Sequence, residues 1–105
     1  MLSDAQIAVL KRAVGHFGRR AQLRKVAEEL RELAVECDKA ADGGHTSPEA
    51  LNALTEALAH ERADVEIVLH QFDNLLLPSL RQAVRAKITS QIERLERRLP
   101  IRGTT

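Results

Sequence analysis

Apolar residues recur at helical spacing along almost the whole chain. Ile7, Leu10 and Val14 share one side of a first segment. Leu23, Val26, Ala27, Leu30, Leu33, Ala34 and Cys37 form the stripe of a second. Leu51, Leu54, Leu58, Val65, Val68, Leu69 and Phe72 form a third, and Leu80, Val84, Ile88, Ile92, Leu95 and Leu99 a fourth. Steps of three and four place residues on one face of an α-helix. The pattern predicts an all-α fold of four helices, at about 1–15, 19–41, 48–77 and 79–99, with a loose tail at 100–105.

The punctuation agrees with the periodicity. Ser3-Asp-Ala-Gln6 reads as a capping box opening the first helix. Gly15 and Gly18 interrupt the pattern around His16 and Phe17, with Phe17 expected as an apolar hinge. Asp42-Gly43-Gly44 is expected to end the second helix through left-handed glycine geometry. Thr46 or Ser47 can cap the third, with Pro48 at its first position. Pro78 breaks the pattern before the fourth helix and Pro100 stops it. Ile67 and Leu75 to Leu77 widen the third stripe beyond one face. A helix apolar on more than one side needs cover on more than one side, which suggests a subunit partner.

Composition narrows the class. Ala, Glu, Lys, Leu and Arg supply 56 of the 105 residues, a signature of long helices. Only Phe17 and Phe72 are aromatic, which argues against a β-sandwich or barrel. The length suits one domain. A net charge of +1 gives weak whole-molecule attraction to nucleic acid or acidic lipid. The basic groups Arg19-Arg20, Arg24-Lys25 and Arg94, Arg97, Arg98 are interleaved with acidic residues, which works against a phosphate-tracking stripe. The single Cys37 excludes an intrachain disulfide and is expected as a small core or interface residue. No run is long and apolar enough for a membrane span or a secretory leader, so a soluble cytoplasmic protein is the default expectation.

The chemistry is concentrated in acidic residues on two helices. Helix two carries Glu28-Glu29-Leu30-Arg31-Glu32 and helix three carries Glu61-Arg62-Ala63-Asp64. Residues three apart are helix-surface neighbours, with Cβ atoms about 5–6 Å apart. Glu29 with Glu32, and Glu61 with Asp64, therefore form two pairs. Helices packed at roughly 8–10 Å could bring both pairs to a common gap. Carboxylates crowded there repel unless one keeps its proton or a cation joins them. Oxygen ligands suit Mg²⁺, with Mn²⁺ as a substitute, rather than Zn²⁺. Spacing alone leaves open a solvated acidic face on a coiled coil or interaction bundle.

The pattern Glu-Glu-x-x-Glu, then 28 residues, then Glu-x-x-Asp resembles the signature of the MazG-like, all-α nucleoside triphosphate pyrophosphohydrolases. The stretches Phe17-Gly18, Ala21-Gln22-Leu23 and Val26 to Leu33 are similar to that family's first motif helix, and Ala63 to Phe72 to its second. Lys87-Ile88 and Glu93 to Leu99 resemble the closing helix of small single-domain members. The resemblance implies a helical bundle working as a homodimer or a dimer of dimers. It implies Mg²⁺-dependent hydrolysis of a nucleoside triphosphate to monophosphate and pyrophosphate. Position by position, it implies Glu29, Glu32, Glu61 and Asp64 as metal ligands. Glu28 would support them or orient the attacking water, and Glu29 is placed with it in the catalytic set. Gln22, on the Glu29 side of its helix, is a candidate for contacting base or ribose; His16 and Phe17 could stack on a base, although a hydrophobic hinge is the better reading of Phe17. Lys87 and Arg94 are candidates for the phosphates. Arg62 and Ala59-His60 depart from the family pattern, although no ligand is lost. The alternatives are a catalytically silent helical interaction module of the same fold and a nucleic-acid-binding helical protein.

Overall fold

The computed structural model describes residues 2–43 and 47–101. Among them are four helices and no strand: α1 (Asp4–Phe17), α2 (Arg19–Asp42), α3 (Pro48–Asp73) and α4 (Pro78–Arg98). The chain divides after Leu75 into two compact units, the first holding α1 to α3 and the second α4.

The helix ends follow from particular residues. Gln6 N–H donates to Ser3 Oγ at 3.1 Å and Ser3 N–H to Gln6 Oε1 at 2.8 Å, closing the expected capping box. Helix α1 runs through Gly15 and stops at Gly18, whose φ of 87° is strained for any residue with a Cβ. Ser47 caps α3 by accepting from Ala50 N–H at 3.1 Å, ahead of Pro48.

Besides the end of α1, which was expected near residue 15 and falls at Phe17, three boundaries differ from expectation. Gly43 is extended at φ −72°, not left-handed, and its N–H still reaches Lys39 O at 2.9 Å. Gly44, His45, Thr46 and residues 102–105 lie outside the described residues. Helix α3 ends at Asp73, short of Leu77. There Asn74 Nδ2 donates to His70 O, competing for a carbonyl the helix would otherwise use. Pro78 opens α4 instead of preceding it, since proline suits a first-turn position where the missing N–H is unneeded.

In the first unit, α2 and α3 pack as an antiparallel pair, with α1 against both. The apolar core is small: Val26, Val65 and Val68 are its buried hydrophobics. The buried face of α2 is not its most apolar one. Gln22, Val26 and Glu29 are buried, and Leu33, Glu36 and Ala40 half-buried, in steps of four and three. Leu23, Leu30, Ala34 and Cys37, all expected inside, are exposed. The helix is turned about a quarter turn from its predicted stripe. On α3 the expectation holds better: Val65 and Val68 are buried and Leu54, Leu58 and Phe72 half-buried, while Leu51 and Leu69 are exposed.

In the second unit, α4 has no buried residue. Its stripe steps from Leu77 through Leu80, Val84, Ile88, Ile92 and Leu95 to Leu99 by 3-4-4-4-3-4, and all seven are exposed. That is two elevens, from Leu77 to Ile88 and from Ile88 to Leu99, close to the natural period of a straight helix. No described helix is long and apolar enough to cross a membrane.

Candidate metal centre

The quarter-turn of α2 directs Glu29 towards α3. Glu29 is 5 % exposed, an unusual degree of burial for a carboxylate. Across the helix pair stand Glu61, half-buried, and Asp64, exposed, one turn apart on α3. One ligand oxygen from each of Glu29, Glu61 and Asp64 lies within 4.8 Å of the other two. A second group with the same limit joins Glu28, Glu29 and Glu32 along α2. Glu29 belongs to both, so the two groups form a continuous acidic site centred on one buried side chain.

The partners of Glu29 are unequal. Oε1 accepts from Lys25 Nζ at 2.9 Å. Oε2 is buried without a donor, and so is Glu61 Oε2. Lys25 also approaches Glu28 Oε2 at 3.6 Å. The bond to Glu29, followed by the field of Glu28, raises the Lys25 pKa and keeps the ammonium charged. Burial first, then the charges of Glu29 and Glu61, raises the Glu32 pKa and favours its protonated form. The site holds more negative charge than one lysine can balance.

Two orphaned carboxylate oxygens are costly in a buried place, by more than the ~1–3 kcal/mol of a neutral group. A cation would satisfy both. Every donor is a carboxylate oxygen, which matches a hard divalent ion and offers no nitrogen or sulfur for zinc. The residues Glu29, Glu61 and Asp64, with Glu32 and Glu28 beside them, could therefore hold such an ion.

Arg62 does not disturb this arrangement. Its Nη1 lies 2.8 Å from Glu66 Oε2, and Glu66 also meets His70 Nε2 at 3.4 Å. Arg62, and then His70, hold the Glu66 carboxyl below its ordinary range. The departure from the family pattern at position 62 is thus absorbed along α3.

The other expected residues are distributed unevenly. Gln22 is buried on the Glu29 side of α2 and lines a pocket beside the carboxylates. Lys87 and Arg94 are exposed on one side of α4. His60, exposed, is absent from both carboxylate groups. Two polar residues of the pocket were not anticipated as site residues, Lys25 and Gln71. Lys25 stands four before Glu29, the spacing of a helical ion pair. Gln71 stands seven after Asp64, mirroring Gln22 seven before Glu29. Both signals were present in the chain; the first is local to α2, whereas the second has meaning only when the helices are set side by side.

No protein family, curated protein or solved structure matches this chain. The resemblance to the MazG-like pyrophosphohydrolases therefore rests on the sequence motifs.

Proposed function

We propose that this chain is a divalent-cation-dependent nucleoside triphosphate pyrophosphohydrolase that releases a monophosphate and pyrophosphate. The observation that carries this reading is the meeting of Glu29, Glu61 and Asp64 from two helices, with two buried carboxylate oxygens lacking any donor. Such a set suits Mg²⁺, which takes a few protein carboxylates and leaves positions for water and phosphate. Mn²⁺ would serve as a substitute.

When bound, the cation would supply charge neutralisation at the triphosphate and a water of lowered pKa. The protein's own groups divide the remaining work. Glu29, Glu32, Glu61 and Asp64 hold the ion. Glu28, exposed beside them, would orient the attacking water and accept its proton. Lys25 pairs with Glu29 at 2.9 Å and would offer its ammonium to the phosphates. Exposed Leu23 and Leu30 on α2 and the exposed stripe of α4 support assembly as a homodimer or dimer of dimers.

The α4 stripe also favours a second reading, a helical interaction module without catalysis. Incubation with each nucleoside triphosphate and Mg²⁺, with products resolved by chromatography, separates the two. The enzyme yields monophosphate and pyrophosphate, and Glu32→Gln or Asp64→Asn abolishes both. Absence of turnover on every triphosphate, together with no Mg²⁺-dependent thermal shift, would overturn the proposal.

A further inference from the structure

Helix α4 has 21 residues and a length of about 31 Å. It buries none of them, and its apolar positions from Leu77 to Leu99 stand exposed along one side. Most of a helix's stability in a protein comes from covering its apolar face, not from propensity. Helix α4 therefore calls for a partner along its whole length. The eleven-residue repeat keeps the stripe on one side of a nearly straight helix, so a partner can follow it from end to end.

Spacing and charge together indicate what that partner is. The stripe is close to symmetric about Ile88. Val84 and Ile92 stand four residues to either side, Leu77 and Leu99 eleven to either side, and Leu80 and Leu95 eight before and seven after. A face that repeats in both directions is self-complementary across a two-fold axis, as in a symmetric dimer. Arg81, Arg85 and Lys87 occupy the first half of the helix, and both its glutamates, Glu93 and Glu96, the second. Arg81 is the fourth residue of α4 and Glu96 the third from its end. Each opposes the macrodipole, which favours acidic residues early and basic ones late. Among the described residues neither side chain forms an ion pair, so within one chain this placement gains nothing.

We propose that α4 pairs with α4 of a second copy, antiparallel and centred on Ile88. Ile88 then meets the partner's Ile88, Val84 the partner's Ile92, and Leu77 the partner's Leu99. Arg81 comes level with the partner's Leu95, one residue from the partner's Glu96. Arg81 and Glu96 are fifteen residues apart in the chain, about 60° round the helix, so both lie towards the same edge of the stripe. In an antiparallel pair like edges meet, and two Arg81–Glu96 ion pairs flank the seam. The stem of Arg81 covers apolar surface while its guanidinium reaches the carboxylate. A parallel pair would set Arg81, Arg85 and Lys87 against their own copies. A lipid surface suits α4 less well, because a helix lying on a membrane keeps charge off its apolar face. Arg81, seven residues before Ile88, stands only about 20° from it. The pair deepens the assembly proposed above by giving it a face and a direction, and uses nothing from the hydrolysis reading.

Sedimentation equilibrium of the full chain tests the pair. Ile88→Glu should halve the associated mass. Arg81→Glu and Glu96→Arg should each weaken association by about 10-fold at low salt. Combining the two should restore it, and the differences should shrink at about 1 M salt. Both single changes suit the macrodipole, so helicity by circular dichroism should hold or rise, separating lost pairing from a lost helix. Direction is read by disulfide cross-linking in a Cys37→Ser background. Chains carrying Leu77→Cys and chains carrying Leu99→Cys should link to each other under a mild oxidant and not to themselves. Self-linking of either chain, a mass unmoved by Ile88→Glu, or association indifferent to the charge variants would overturn the pair. So would a monomer that binds vesicles of anionic phospholipid. Triphosphate turnover by a chain whose mass Ile88→Glu leaves unchanged sinks the pair and keeps the enzyme. A charge-dependent pair without turnover of any triphosphate does the reverse.

Discussion

Lys25 Nζ lies 2.9 Å from Glu29 Oε1, so the most buried carboxylate of the acidic site already has a resident cation. Lysine and a divalent ion then compete for the same negative charge. Lys25→Met should lower the thermal midpoint of the metal-free protein, because Glu28 and Glu29 lose their counter-charge. The rise in midpoint on adding Mg²⁺ should be larger in the variant than in the parent. Melts with and without Mg²⁺ measure both; equal rises would show that Lys25 is irrelevant to the site.

The orphaned oxygens of Glu29 and Glu61 make a related forecast. Glu61→Gln turns one carboxylate into a carboxamide able to donate to Glu29. The metal-free variant should melt at a higher temperature than the parent and lose its response to Mg²⁺. Its turnover should fall by more than the ~10–100-fold typical of groups that only support a ligand. A variant of lowered stability with an intact Mg²⁺ response would place the ion elsewhere.

The raised pKa of Glu32 sets a pH dependence. Burial, then Glu29 and Glu61, favour its protonated form in the folded protein. The folded state therefore binds this proton more tightly than the unfolded chain, and stability falls as pH rises through the folded-state value. Glu66, held low by Arg62, contributes the opposite slope. The comparison is accordingly with Glu32→Gln, which keeps Glu66. From about pH 4 towards neutrality, the metal-free parent should lose stability relative to that variant, and Mg²⁺ should remove the difference. A relative gain in the parent over this range would contradict the crowding of charge at Glu32.

The two glycines between α1 and α2 should respond in opposite directions. Gly18 has φ 87° and ψ 162°, a region that costs a residue with a Cβ about 1–3 kcal/mol. Gly15 lies inside α1 with open space where a Cβ would stand. Gly18→Ala should destabilise by that amount, whereas Gly15→Ala should stabilise by about 0.5–1 kcal/mol. Urea unfolding of the two variants gives both values, and a matching sign for the pair would exclude this hinge geometry.

Much of the local architecture is legible in the chain because its causes are local. Period, caps and breakers are properties of a few neighbouring residues, so four helices, the Ser3–Gln6 box, a cap at Thr46 or Ser47 and a glycine break between α1 and α2 can be read directly. The two carboxylate pairs are equally legible, since one helical turn separates their members. Helix rotation is not local. The apolar stripe of α2 points to Leu23, Leu30 and Cys37 as its inner face, yet the fold turns Gln22, Val26 and Glu29 inward. What settles the rotation is the surface of α3, where Val65 and Val68 are buried with Val26, and Asp64 and Gln71 line a pocket with Gln22 and Glu29. The group that joins Glu29 to Glu61 and Asp64, and the pocket shared by Gln22 and Gln71, come with that quarter turn, whereas the Lys25–Glu29 pair is local to α2. A periodic sequence defines which residues share a side of a helix; which side is buried depends on the neighbouring helix that receives it.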